Sequence, residues 1–147
     1  MRSALVFAFL VLGVSSLVFG VDELPVTDLA AQADAAPLDR QPELYLKLAE
    51  RQMKQADHLY SDGKVDEAAA AVRDVSAYSE KAAKAAVTTG KRLKNIEISI
   101  RKMSARLRDI QRTLSFDDQA PVKAAIEHLE DLRTQLLTRM FSKEKKK

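Results

Sequence analysis

The chain has 147 residues, is 46% hydrophobic and 31% charged, and carries a formal net charge of +3; this favours one packed domain with appendages over a disordered polymer. It contains no cysteine, which excludes disulfides, thiolate metal sites, thiol nucleophiles, haem attached through Cys-x-x-Cys-His, and lipoprotein attachment. Only 5% of residues are aromatic, with no Trp and four each of Gly and Pro, and helix-forming Ala, Leu, Lys, Arg, Glu and Gln dominate after residue 40, so helices are expected rather than sheets.

Residues 1–20 read MRSALVFAFLVLGVSSLVFG. A basic start at Arg2, an apolar run from Ala4 to Leu12 and small residues up to Gly20 have the layout of a secretory signal cleaved after Gly20. The alternative is an uncleaved anchor, since residues 4–21 carry no charge over about 18 residues, the lower limit for a bilayer span. Export to a periplasmic or extracellular location is expected. Residues 21–40 hold two prolines and five acidic side chains without a sustained period, and are expected to form a flexible acidic linker.

The helical body is expected over 41–141, with 142–147 as a basic disordered tail. The first long helix should begin near Pro42, where a missing N–H costs nothing, and present Tyr45, Leu48, Ala49, Met53, Ala56, Leu59 and Tyr60 before Gly63 stops it. A second runs from about Lys64, with Asp66 and Glu67 on its N-terminal dipole. Its seam of Val65, Ala68, Val72, Val75, Ser79, Ala82 and Ala86 is small enough for close helix approach, and Gly90 should be its left-handed C-cap. The third carries the clearest period: Leu93, Ile96, Ile100, Met103, Leu107, Ile110 and Leu114 alternate spacings of three and four, the mark of a bundle or coiled coil. After a turn at 115–119 with Ser115, Asp117 or Asp118 as caps, a fourth presents Val122, Ala125 or Ile126, Leu129, Leu132, Leu136 and Met140. Short connections make consecutive helices antiparallel. The expected fold is all-α, an up-down four-helix bundle, with two long hairpins dimerising through their seams as the rival and homo-oligomer.

Around the first turn, Ala56, Leu59, Gly63, Val65 and Ala68, continued by Val72 and Val75, resemble the centre of a tetratricopeptide repeat. The resemblance covers residues 42–75 and occurs once, whereas such repeats stack in threes or more. It departs from the family at Gln52, where a large aromatic is usual, and in a second helix that is too long. It implies a helical hairpin and peptide or protein binding.

Chemistry is sparse. A di-iron bundle needs Glu three residues before His on two helices, but Gln55 precedes His58 and Ala125 precedes His128. A metal shared by Asp57, His58, Glu127 and His128 is disfavoured, because adjacent helical residues diverge by about 100°. Met53, Met103 and Met140 read as core filler. No nucleophile turn, paired acid–base carboxylates, phosphate loop or dinucleotide fingerprint is present. No enzyme, metal or cofactor is expected.

Charge is strongly segregated. Residues 21–80 hold 6 basic and 13 acidic side chains, 81–116 hold 10 and 2, and 117–147 hold 7 and 6. With the third helix's seam at a and d, Lys94, Arg101 and Arg108 fall at b and Lys102 at c, a basic ridge pointing away from the core. An anionic polymer or membrane surface could lie along it. The competing expectation is that Arg92 and Arg106 at g, with part of the ridge, pair with the acidic helices of the same molecule. Nucleic acid fits poorly, for want of interleaved aromatics. The leading expectation is an exported, non-enzymatic helical protein that binds a protein partner in the cell envelope; the alternative is an electrostatic binder of envelope polyanions or anionic membrane.

Overall fold

The structure, a computed structural model, describes residues 24–144, with side chains as far as Ser142. The expected signal segment 1–20 and the final lysines 145–147 lie outside the described residues. Within them the fold is all-helical, without a strand: α1 (Val26–Ala35), α2 (Gln41–Ser61), α3 (Val65–Thr89), α4 (Leu93–Thr113), a short 3-10 turn (Phe116–Asp118) and α5 (Ala120–Glu144).

The linker expectation requires correction. Residues 26–35 form α1, which packs on α2 and buries Leu29 and Ala33 in the core. Its apolar positions, Val26, Leu29, Ala30 and Ala33, have the i, i+3, i+4, i+7 spacing of one helix face. Tertiary bonds fix it: the Tyr45 hydroxyl donates to Asp34 Oδ1 at 2.5 Å, Lys81 Nζ reaches the same oxygen at 3.4 Å, and Arg51 donates to the Leu24 carbonyl. Expected tail residues 142–144 likewise belong to α5.

Local signals position the long helices. Pro42 sits in the first turn of α2. Gly63, with φ of 74°, makes the turn into α3, and Gly90, with φ of 69°, caps α3 through its N–H to the Ala86 carbonyl at 2.7 Å. Arg92 also has positive φ, 62°, a left-handed conformation costing a non-glycine residue about 1–2 kcal/mol. It lets α4 start at Leu93, three residues after Gly90.

Side-chain pairs define how the helices run. Lys81 of α3 lies 5.2 Å from the centre of the Tyr45 ring of α2, while residues 62–64 join the far ends, so α2 and α3 are antiparallel. Between α4 and α5, Glu97 meets Arg133 and Ser104 meets Glu130, each at 2.7 Å, again antiparallel. The two hairpins pack chiefly through α3 and α5. There Glu80 meets His128 at 3.2 Å and the Val87 carbonyl meets Arg139 at 3.1 Å, in parallel order.

The core is aliphatic. Leu48, Val72, Val75, Ile96, Ile100, Leu107, Leu129 and Leu136 are fully buried, each contributing about 1.5–3 kcal/mol through water exclusion. The α3 seam is mostly alanine, which brings α2 close along its length. Of the seam expected on the third long helix, Leu93 to Ile110 are buried on α4, while Leu114 lies just past its end and is half-buried. Two wholly buried serines interrupt this core. Ser104 donates to Glu130, whereas the Ser79 hydroxyl has no partner.

Candidate functional site

Two faces of α4 treat their charges in opposite ways. Positions beside the seam are consumed internally. Those at g face α2 and form a ladder: Arg92 to Glu43 at 3.1 Å, Ser99 to Glu50 at 2.8 Å, and Arg106 to Asp57 through two bonds of 2.6 and 3.1 Å. Every rung joins residues 49 apart. Successive rungs are one heptad apart on both helices, so α2 and α4 run parallel in a fixed register. The bidentate Arg106–Asp57 pair is the geometrically strongest rung.

Positions at e face α5. Glu97 is buried and accepts from Arg133 Nε at 2.7 Å. Glu130 accepts from Ser104 at 2.7 Å and from Arg108 Nη2 at 2.8 Å, and Arg133 Nη1 lies 3.5 Å from its other oxygen. The Ser104 hydrogen bond, helped by Arg108, holds the Glu130 carboxyl below its ordinary range against the opposing effect of burial.

These contacts divide the expected ridge. Arg108 does not belong to it as a free cation, because Glu130 of α5 reaches over to claim it. Lys94, Arg101 and Lys102 are exposed, and no ion pair engages them among the described residues. Arg92 and Arg106 take up the carboxylates Glu43 and Asp57 on α2.

The histidines are held apart. His58 Nε2 lies 3.2 Å from Asp62, one turn along α2, and His128 Nε2 lies 3.2 Å from Glu80 of α3. No cluster of three or more His, Asp or Glu suited to a metal occurs among the described residues.

Two further features lie on the surface. A shallow cleft of about 410 Å³ opens between α2 and α4, lined by Glu43, Leu46, Lys47, Glu50, Arg92 and Ile96. The other is a hairpin tip. The two phenylalanines beyond the N-terminal segment are both exposed, Phe116 at 89% and Phe141 at 57%. Phe116 occupies the 3-10 turn between α4 and α5. Four bonds brace that turn: Ser115 Oγ to Asp118 Oδ2 at 2.6 Å, Gln119 Nε2 to the Leu114 carbonyl at 3.1 Å, and the N–H groups of Asp118 and Gln119 to the carbonyls of Ser115 and Phe116. The sequence alone predicts residues 115–119 only as a turn. A phenylalanine in a polar Ser-Phe-Asp-Asp turn, with no apolar period to bury it, was the available signal. Compared with protein-family models, curated proteins and solved structures, the chain matches none.

Proposed function

We propose that this is an exported, non-enzymatic helical protein that acts by binding a protein partner in the cell envelope. Its four long helices form an up-down bundle with α1 strapped along α2, and the tetratricopeptide-like pair α2/α3 serves as one hairpin of that bundle. The observation that carries the reading is Phe116. An aromatic ring is expensive to leave in water, and a braced turn loses little further entropy when the ring enters a pocket. Buried aromatic anchors of this kind dominate interface energetics. Asp117 and Asp118 flank the ring and Asp109 precedes it on α4, so the complementary surface is an apolar pocket with a basic rim.

The test is affinity isolation of C-terminally tagged chain from its native envelope fraction at low and high salt, alongside Phe116→Ala. A defined protein that survives high salt with the parent and is lost with Phe116→Ala supports the reading. Recovery of the same proteins with both chains removes Phe116 from the interface and overturns it. Intact mass of the isolated protein reads the export step: loss of about the first 20 residues accords with signal cleavage, and an intact chain with a tether.

A further inference from the structure

We infer that the outer face of the α4/α5 hairpin is a docking surface for an anionic lipid bilayer. The inference is independent of the partner proposed at Phe116, which lies at the other end of this hairpin. Three observations converge on it.

The first is register. Glu97 and Ser104 mark the edge of α4 that meets α5, and Glu130 and Arg133 mark the facing edge of α5. Helical periodicity places Lys94 and Arg101 just outside that edge on α4, at 60° and 40° from Glu97 by the 100° step of an α-helix. The same step places Leu137 between Arg133 and Glu130 on the facing edge of α5, and Phe141 about 20° beyond Glu130. Antiparallel pairing of Glu97 with Arg133 sets Lys94 level with Leu137. Cations and apolar groups therefore share one end of one groove.

The second is exposure. Thr134, Leu137, Thr138 and Phe141 line a shallow open recess on α5. Ile98, between Lys94 and Arg101 on the outward side of α4, is only half-buried. Lys94, Arg101 and Lys102 have no ion-pair partner among the described residues, in contrast to Arg92, Arg106 and Arg108. Cations left free around apolar side chains are the pattern of a surface that inserts a few apolar groups among anionic headgroups.

The third is what continues from this end. Beyond Ser142 the sequence reads Lys-Glu-Lys-Lys-Lys, four basic residues to one acidic. A second copy fits poorly, because an isologous two-fold pairing would bring two copies of the same positive patch, Lys94, Arg101 and Lys102, into one interface. A bilayer of acidic phospholipid satisfies the free cations and the apolar recess together.

The chain has no cysteine, so a single one introduced at Thr138 and labelled with a polarity-sensitive dye reports on this face alone. The label is read in the full chain, with vesicles of equal phosphatidylglycerol and phosphatidylcholine and with vesicles of phosphatidylcholine only. A matching label at Asp66, on α3 at the other end of the molecule, is the control. This arrangement reads docking of the face whether or not residues 1–20 are retained.

The expected result is a shift of the Thr138 label to an apolar environment with anionic vesicles only, reversed by high salt, and no shift at Asp66. Each cation at such a surface changes the docking equilibrium about fivefold. Lys94→Glu with Arg101→Glu should therefore lower the docked-to-free ratio at least about 25-fold, with helix content unchanged by circular dichroism. Phe141→Ser should weaken docking without altering its salt dependence, and Phe116→Ala should leave it alone. No shift with anionic vesicles overturns the proposal, as does an equal shift with neutral vesicles. A shift that grows with protein concentration in the absence of lipid also overturns it, in favour of a second copy.

Discussion

Ser79 and Ser104 provide a matched pair in which one chemical change should have opposite effects. Both lie in mid-helix, both are fully buried, and Ser→Ala removes one oxygen from each. The gain in helix propensity is common to both, at most about 0.5 kcal/mol. What differs is the hydroxyl's partner. The Ser79 hydroxyl has none, so Ser79→Ala relieves a desolvation cost of about 1–3 kcal/mol and should stabilise the protein by about 1–2 kcal/mol. The Ser104 hydroxyl donates to the Glu130 carboxylate at 2.7 Å, a bond to a charged acceptor worth about 1.5–3 kcal/mol. Ser104→Ala should therefore cost about 1–2 kcal/mol after the propensity gain.

The assay is urea unfolding followed by circular dichroism at neutral pH, comparing midpoints at constant slope. Acid supplies a second reading. Glu130 has a lowered folded-state pKa, so its contribution is present above the ordinary carboxylate value and lost as pH falls through the folded value. The Ser104→Ala deficit should shrink over that acidic window, while the Ser79→Ala gain should persist. Equal destabilisation by both substitutions would refute the reasoning, because it would mean that packing around the oxygen outweighs its hydrogen bonding.

Other outcomes follow from the same structure. Burial, together with the bond to Asp34, pushes the Tyr45 hydroxyl up to about 12; its contribution is full below the unfolded value near 10 and is lost between 10 and 12, so α1 should loosen in that alkaline window. Tyrosinate absorbance should show a step near 12, and Tyr45→Phe should remove it, leaving the ionisation of Tyr60, also raised by burial. Leu107→Ala empties a fully buried site on α4 and should cost about 2–5 kcal/mol in urea unfolding. Gly63→Ala meets no atom within 4 Å, so its cost is backbone strain alone, about 1–2 kcal/mol by thermal unfolding, and Gly63→Asn should recover part of it.

The four long helices were legible because their apolar spacing, Pro42 and the two turn glycines are local signals. The structure begins and ends each within a few residues of those marks. Helix α1 was not legible, because two of its four inward residues are alanines and it is held by contacts to Tyr45, Arg51 and Lys81, all remote in sequence. The charge map was legible in part. Arg92 and Arg106 at g, in a chain whose residues 21–80 are mostly acidic among their charges, already suggested internal pairing. That Arg108 would be captured while Lys94 and Arg101, at the same heptad position, stay free depends on where Glu130 falls along α5. Such a crossing point is set by the loop length and packing within the α4/α5 hairpin, which no single helix encodes. Glu97 illustrates the same limit: a charge adjoining the seam is readable, but its burial requires Arg133 from 36 residues away.

The constant 49-residue offset between α2 and α4 also bears on how the length of this chain can change over evolutionary time. A single inserted residue within either helix would rotate everything beyond it by about 100° and break each later rung. Matched additions to the end of α2 and the start of α3 would instead lengthen that hairpin while leaving Glu43, Glu50 and Asp57 opposite their present partners. Growth or loss by paired turns at the Gly63 end is therefore the route by which longer and shorter relatives can arise, and insertions elsewhere in α2 or α4 should be rare among them.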